Sequence, residues 1–521
     1  MQSSDIHGVS AQPAGEINDR IWWMILGLLV VAGLFFRLNW FGDYTFPIND
    51  GALFVVIAEA IQANGMLPPT EYDFNGHTLP LGYPPLALWL VAAISSVTGA
   101  DTVLVATWYP FVMNMIFVGG FIVFLRAMKL PWLVLVVAAA IFIFQDRTFK
   151  FLIMGGGITR GTGAALAILS WVATIKMLEE ARPMRVLAAI LLCGLTILSH
   201  LEFGITSATG ITLLILMANR SSTERLLLLF TVGGGAFLVI LPWLNWVLST
   251  HGLAPFSSAS ETSGWCFPCS GRKVLELGMF PWYIMIPAAL GVVELARQRQ
   301  NFWIILALAI WFITPRHAPS PLVIPNAVLA AYGLLFMFRL VSEGLEAWEN
   351  PTDGHNITLL STPLSTATFL ALFAATITTL GATREMYERT GMETLPREIR
   401  EVMVWVDDSL PENSRFVIFT GEPWATDETA EWFPYLTSSL GLSTAQGLEW
   451  AGPNVFTDKL RQLSILTSTA ACTGLVENTI EAFPTAEYLL AVRLKECYDD
   501  DPRYTALHRN EWAAVYRITA R

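Results

Sequence analysis

Residues 21–40, IWWMILGLLVVAGLFFRLNW, form an apolar run broken by a single charge, Arg37. A helix of about 20 such residues matches the hydrocarbon thickness of a bilayer. Ten further runs follow, near 103–125, 131–145, 161–178, 186–199, 203–218, 226–248, 279–296, 302–314, 320–338 and 357–381. In lipid every backbone polar group must be satisfied internally, so a chain of this kind folds as a bundle of helices. The expectation is a polytopic α-helical membrane protein with about eleven transmembrane helices. Only 14% of the residues are charged, against 54% hydrophobic, where soluble domains carry about 25% charge. That excludes a plain soluble enzyme and an intrinsically disordered chain alike. The net charge of −12 argues against nucleic acid as a partner.

Basic residues give the orientation, because Lys and Arg concentrate in cytoplasmic loops. With residues 1–20 as a short cytoplasmic segment and 21–40 as a retained signal anchor, the pairs Arg126/Lys129, Arg182/Arg185, Arg220/Arg225 and Arg297/Arg299, and then Arg339, all fall inside. Counting the run 84–99 as a full span would invert this pattern. It therefore reads as a short interfacial or re-entrant helix entered at Tyr83-Pro84-Pro85, where proline pre-sets the first turn. The other charges of the membrane part then gather on the outer side. They include Asp50, Glu59, Arg147, Lys150, Arg160, Glu202 and Arg316, with His77 and His200. Arg147 and Lys150 read as headgroup anchors.

Residues 384–521 differ in kind. They hold 22 acidic and 13 basic residues, leaving 21 and 18 for the first 383. This tail has the composition of a soluble α/β domain, and the topology puts it outside the cell membrane. Its expected elements are a helix near 396–408, helical spacing over 456–480, and strands at 415–420, 488–493 and 512–518. Cys472 and Cys497 would form a disulfide in an oxidising compartment. Cys193 lies inside a span, as a small buried apolar residue. Cys266 and Cys269 form a CxxC in the outer loop 249–278. Without a βαβ context or further ligands beyond His251, a local disulfide is the better reading than a redox or zinc site.

The first outer loop, 41–102, carries the chemistry. It presents Asn49-Asp50-Gly51, then an amphipathic stretch 52–64 suited to the membrane surface, then the YPPL entry at 83–86. An acid soon after the first span, a surface helix and a PP-L entry resemble the GT-C fold glycosyltransferases, among them the protein O-mannosyltransferases and the lipid A aminoarabinose transferases. FPINDG at 46–51, GGGITRGTG at 155–163, SHLE at 199–202 and EWFPYLTS at 431–438 resemble a bacterial and archaeal branch of that fold. The resemblance runs over most of the chain.

What it implies is transfer of a sugar from a polyprenyl-phosphate donor at the outer membrane surface. The acceptor (glycan, lipid or protein) is left open. Asp50 matches the first-loop carboxylate that acts as general base; an acceptor hydroxyl needs one near neutral pH. Charge developing on the departing phosphate needs cationic partners, for which Arg160, His200, Arg316 and Arg37 are candidates. Asn49, Glu202, Tyr83 and His77 are further site candidates. Other roles stand beside these. Asp50 is also a preferred cap for a helix starting at 51, and Arg37 can snorkel to the interface. Many relatives have two adjacent acids where this chain has Asn49-Asp50. One carboxylate weakens a metal-bridging role, so no cofactor is expected. It also keeps a non-catalytic assembly protein open as an alternative. A transporter or flippase fits less well, since the polar groups gather at one face and no repeat is evident.

Overall fold

The computed structural model describes residues 19–262, 280–313, 319–349, 369–379, 394–468, 472–492 and 495–519. Arg316, Cys266 and Cys269 lie outside these residues. Among the described residues helix occurs in each of the eleven apolar runs, but the helices differ in reach. Five described helices are long and apolar enough to cross a membrane: Asp19–Phe41, Thr102–Ala127, Gly157–Glu179, Ser222–His251 and Ser320–Leu340. A sixth results if Trp132–Phe144 and Asp146–Ile153, bent by 81° to each other, count as one broken span. The runs at 186–199, 203–218 and 302–314 appear as apolar helices of 10–17 residues, the described part of 357–381 is the helix Phe369–Thr379, and 84–99 becomes the short helix Leu86–Thr98. Sequence caps set several boundaries. Asp101 accepts from Val103 N and Leu104 N, and Ser221 and Glu224 form a reciprocal capping box.

The 81° bend is built from buried polar groups. Gln145 is extended, and Asp146, Arg147, Thr148 and Lys150 behind it are all buried. Burial of Arg147 and Lys150 corrects their reading as headgroup anchors. Arg37 holds the bend in place. Its guanidinium donates to Asn114 Oδ1 at 2.9 Å, Gly33 O at 3.2 Å and Thr148 Oγ1 at 3.3 Å. It also lies 4.8 Å over the Phe149 ring.

The first loop is folded, not splayed on a surface. Strands β1 (Glu71–Phe74) and β2 (His77–Pro80) make an antiparallel hairpin. Its turn residues Asn75 and Gly76 both have positive φ, 52° and 73°, as a type I′ turn demands. The helix Ala52–Ala63 buries Ala52, Val55, Ile57, Ala58 and Ile61, so it is a core element and not the surface-lying helix its amphipathic pattern suggests.

The tail contains a five-stranded mixed sheet in the order β4 (Leu440–Gly441), β3 (Arg415–Phe419), β5 (Tyr488–Ala491), β7 (Ala514–Ile518), β6 (Tyr504–Arg509). β3 is parallel to both β4 and β5, and β7 is antiparallel to β5 and β6. Side chains alternate between faces, as strand geometry requires. Val417, Phe419, Leu489 and Ala491 pack with Leu466, Leu475 and Phe483 of the tail's own helices. Phe416, Ile418 and Leu490 face the other way, into a core that also holds Phe46, Leu53, Ile57, Leu79, Leu88, Trp432 and Phe433. First loop and tail therefore share one hydrophobic core. Cys472 and Cys497 are joined in a disulfide, and Cys193 is a free buried thiol.

Candidate active site

The site forms where the first loop, a glycine turn and the tail meet. Asn49 occupies the left-handed region at φ 55° and Gly51 sits at φ 129°, so the backbone turns sharply on either side of Asp50. Asparagine tolerates that conformation better than most side chains. Gly51, not Asp50, is the N-cap of the helix Ala52–Ala63. The Asp50 carboxylate points instead to the turn preceding the helix Gly157–Glu179. Oδ1 accepts from Gly156 N at 2.6 Å, and Oδ2 lies 3.7 Å from Arg160 Nη2. Gly155 N donates to Ile48 O at 2.9 Å, so successive amides of the glycine turn hold Ile48 and Asp50 on either side of Asn49. A side chain at Gly155 or Gly156 would collide with Asp50 itself, which is why the GGG run is needed there.

The tail closes the third side. Glu431 Oε1 accepts from Gly51 N at 2.9 Å, and Trp432 Nε1 donates to Asn49 O at 2.8 Å. The Trp432 ring packs on Phe46 with centroids 4.5 Å apart. Nearby, Arg400 of the helix Arg397–Ser409 reaches Asp43 at 2.7 Å, and Tyr435 donates to Glu59 at 2.9 Å. Glu431 is not among the candidates read from the sequence, yet it lies against this turn. Its only signal was membership in the EWFPYLTS segment.

Burial and the neighbouring Asp50 charge push the Glu431 carboxyl well above its ordinary range. Burial also raises the Asp50 carboxyl, opposed by Arg160 and the Gly156 amide. When two carboxylates share a site, one holds its proton more tightly. Glu431, raised by its burial and by the Asp50 charge, is that one; Asp50, facing Arg160, is the one that ionises first. The Asp50 side chain is 22% exposed and Arg160 28%, against 4% for Glu431. The accessible pair is thus a carboxylate and a guanidinium.

The other candidates distribute around this centre. Tyr83 OH lies 3.1 Å from Thr159 Oγ1, next to Arg160, and its ring meets Phe54 and Trp450 edge-on. His200, between the helices Pro183–Ser199 and Leu201–Met217, lies against Gly163, one turn beyond Arg160. Glu202 follows in the first turn of the second of these helices. Arg37 is bonded inside the bundle and holds the bend rather than the site. His77 belongs to the hairpin end against the tail; burial and Lys459 lower its pKa. Asn49 contributes its carbonyl, not its side chain, to the contact with Trp432. Among the described residues no group of three or more His, Cys, Asp and Glu side chains gathers. Two carboxylates already bonded to amides fall short of the oxygen-rich shell a divalent cation takes.

No protein-family profile matches the chain, and no curated protein matches it in sequence. Solved structures do match in fold. The archaeal oligosaccharyltransferase AglB from Archaeoglobus fulgidus, in complex with an inhibitory peptide and a dolichol-phosphate, aligns over 92% of this chain and 70% of its own, at TM-score 0.52 and 11% identity. Arabinofuranosyltransferase AftD from Mycobacteria aligns over 97% of this chain and 40% of its own, at TM-score 0.53 and 11% identity. The protein has the GT-C glycosyltransferase fold. ArnT from Cupriavidus metallidurans bound to undecaprenyl phosphate matches over 96% of this chain and 97% of its own, at TM-score 0.47 and 13% identity. Within the GT-C fold, the alignments extend over both the bundle and the tail that supplies Glu431.

Proposed function

We propose that this GT-C chain is a membrane glycosyltransferase that moves a sugar from a polyprenyl-phosphate donor to an acceptor hydroxyl, with Asp50 as general base. The observation that carries the reading is the Asp50 carboxylate, held by Gly156 N and facing Arg160 while still reachable from solvent. The dolichol-phosphate in the AglB complex supports a lipid-phosphate donor.

The reaction follows from these groups. An acceptor O–H bonds to Asp50, and its oxygen attacks the anomeric carbon as Asp50 takes the proton. The bond from that carbon to the phosphate oxygen breaks, and polyprenyl phosphate departs with the electron pair. Arg160 stabilises its growing negative charge, with His200 and Arg316 as candidates for the same phosphate. The protonated Glu431 sets the shape of the loop without adding a second negative charge beside the leaving group. Eleven spans, a cytoplasmic N-terminus and an extracytoplasmic tail complete this reading, since they place Asp50 on the outer side of the cell membrane with the lipid-linked donor.

Asp50→Asn tests it. The amide keeps the size and the bond from Gly156 N but cannot accept the acceptor proton. General-base catalysis is worth about 10²–10⁴-fold. Transfer from a radiolabelled polyprenyl-phosphate sugar in membrane vesicles should fall by that order, with the thermal unfolding profile preserved. Full transfer by Asp50→Asn would remove Asp50 from the chemistry.

A further inference from the structure

A cavity lies in the tail, apart from the carboxylate cluster. The connection leaving β3 passes through the helix Glu428–Leu436, whose Ala430, Trp432 and Phe433 pack on the loop-facing side of the sheet. The connection leaving β4 passes through Pro453–Leu466 and Cys472–Ala482, whose Leu466, Leu475 and Val476 cover the opposite side. The two connections part between the carboxyl ends of β3 and β4. In open α/β sheets that divergence opens a crevice where ligands bind. Here it holds about 350 Å³, lined by the end of β3 and the segment after it (418–424), Asp427, Ser443 and residues of the helix Pro453–Leu466. That is within the range of small-molecule sites.

The lining decides the ligand's charge. It includes Glu422 and Asp427 but no Lys or Arg. The helix N-terminus beside it, which in nucleotide-binding sheets receives a phosphate, is already occupied. Asp427 Oδ1 accepts from Ala430 N at 2.9 Å and Oδ2 from Thr420 Oγ1 at 2.6 Å. An anion finds no cation in this lining, and the Ala430 amide at the helix start is already taken by Asp427. The walls are otherwise Trp424, Leu460 and Leu463, interspersed with Ser464 and Thr467 hydroxyls. Those two hydroxyls donate to backbone carbonyls, Arg461 O and Leu463 O, so they face a ligand as acceptors. An acceptor-rich crevice with an aromatic wall suits an uncharged molecule that has many O–H donors and an apolar C–H face.

We propose that this crevice binds a neutral saccharide. Binding stands on the cavity alone; its role, anchoring an acceptor glycan near the transfer site, rests on the glycosyltransferase reading above. The test is saturation-transfer NMR on the full-length protein in nanodiscs free of glycoside detergent, against a panel of neutral mono- and disaccharides and one sugar 1-phosphate. Wild type should show transfer to at least one neutral sugar. Trp424→Ala and, at the exposed mouth, Ser464→Trp should each weaken it at least tenfold, while Asp50→Asn leaves it unchanged. A sugar 1-phosphate should bind at least tenfold more weakly. The proposal is overturned by no transfer to any neutral sugar, by transfer that survives both cavity variants, or by equal binding of the phosphate. Saccharide binding without any glycosyl transfer by wild type would instead fault the catalytic reading alone.

Discussion

Replacing Glu431 by glutamine separates the two carboxylates. The amide oxygen can still accept from Gly51 N, now at 2.9 Å, so the loop should keep its shape. What changes is the proton. In wild type Glu431 is buried beside Asp50 and holds its proton well above the ordinary carboxyl range. Asp50 ionises first, and Glu431 ionises only at higher pH, against the Asp50 charge. Wild-type transfer should therefore rise as Asp50 deprotonates, at a pH above the ordinary carboxyl value. It should fall again as ionised Glu431 adds a negative charge that competes for Arg160 and repels the departing phosphate. Glu431→Gln mimics the protonated state permanently, so the rise should remain and the alkaline fall should disappear.

Stability gives an independent reading of the same proton. A carboxyl whose affinity for its proton is raised by folding stabilises the fold fully below its unfolded value. That contribution is lost as pH rises through the raised folded value. Each tenfold difference in proton affinity is worth about 1.4 kcal/mol. Glutamine has no proton to lose, so Glu431→Gln should gain on wild type as pH climbs from the ordinary glutamate range. Glu431→Ala should instead lose stability at every pH, by about 1–3 kcal/mol for the buried Gly51 amide left without its acceptor. The assays are initial rates of transfer across pH and thermal unfolding of the reconstituted protein at the same pH values. An unchanged alkaline limb in Glu431→Gln would refute the coupling. Abolished transfer at all pH values in a folded Glu431→Gln would make Glu431, not Asp50, the base.

Two structural predictions accompany these. Arg37→Ala removes a buried guanidinium bonded to Asn114, Gly33 and Thr148; a buried acceptor such as Asn114 Oδ1 left without its donor costs about 1–3 kcal/mol, read as a lower unfolding temperature with a loosened bend at Gln145. Gly155→Ala puts a methyl group against the Asp50 backbone, so transfer should drop at least tenfold with a much smaller loss of stability; an active Gly155→Ala would show that the glycine turn does not position Asp50.

The sequence made the local features legible. Apolar runs marked helices, and the strand patterns at 415–420, 488–493 and 512–518 correspond to β3, β5 and β7. The Asn75-Gly76 hairpin could have been read as well, since that dipeptide between short β-like runs is a strong turn signal. β4 and β6 escaped because one is two residues long and the other is largely exposed, leaving little alternation to detect. Lone charges in apolar runs were misread for a different reason. Arg37 suggested an interface because snorkelling is what an unpartnered arginine does. Its partners Asn114 and Thr148 lie 77 and 111 residues away, and no local pattern announces them. The same holds for Arg147 and Lys150, whose burial follows from a bend that periodicity does not encode.

The position of the second acid is the most consequential of these non-local facts. Position 49 needs a left-handed backbone and is 1% exposed, and its carbonyl is bonded to Trp432. A carboxylate there would be buried beside Asp50, with both charges on adjacent residues of one turn. Asparagine avoids that cost, and the tail supplies the second carboxyl from 380 residues beyond Gly51. The exchange makes the loop and the tail mutually dependent. Without the tail, the Gly51 amide loses Glu431, the Asn49 carbonyl loses Trp432 and Phe46 loses its aromatic cover. Buried polar groups left unsatisfied cost about 1–3 kcal/mol each, which is enough to let a sharply turned segment relax. The conformation that aims Asp50 at Gly156 and Arg160 is therefore one equilibrium with the docking of the tail. An acid count taken from the first loop alone underestimates the carboxyl groups at this site.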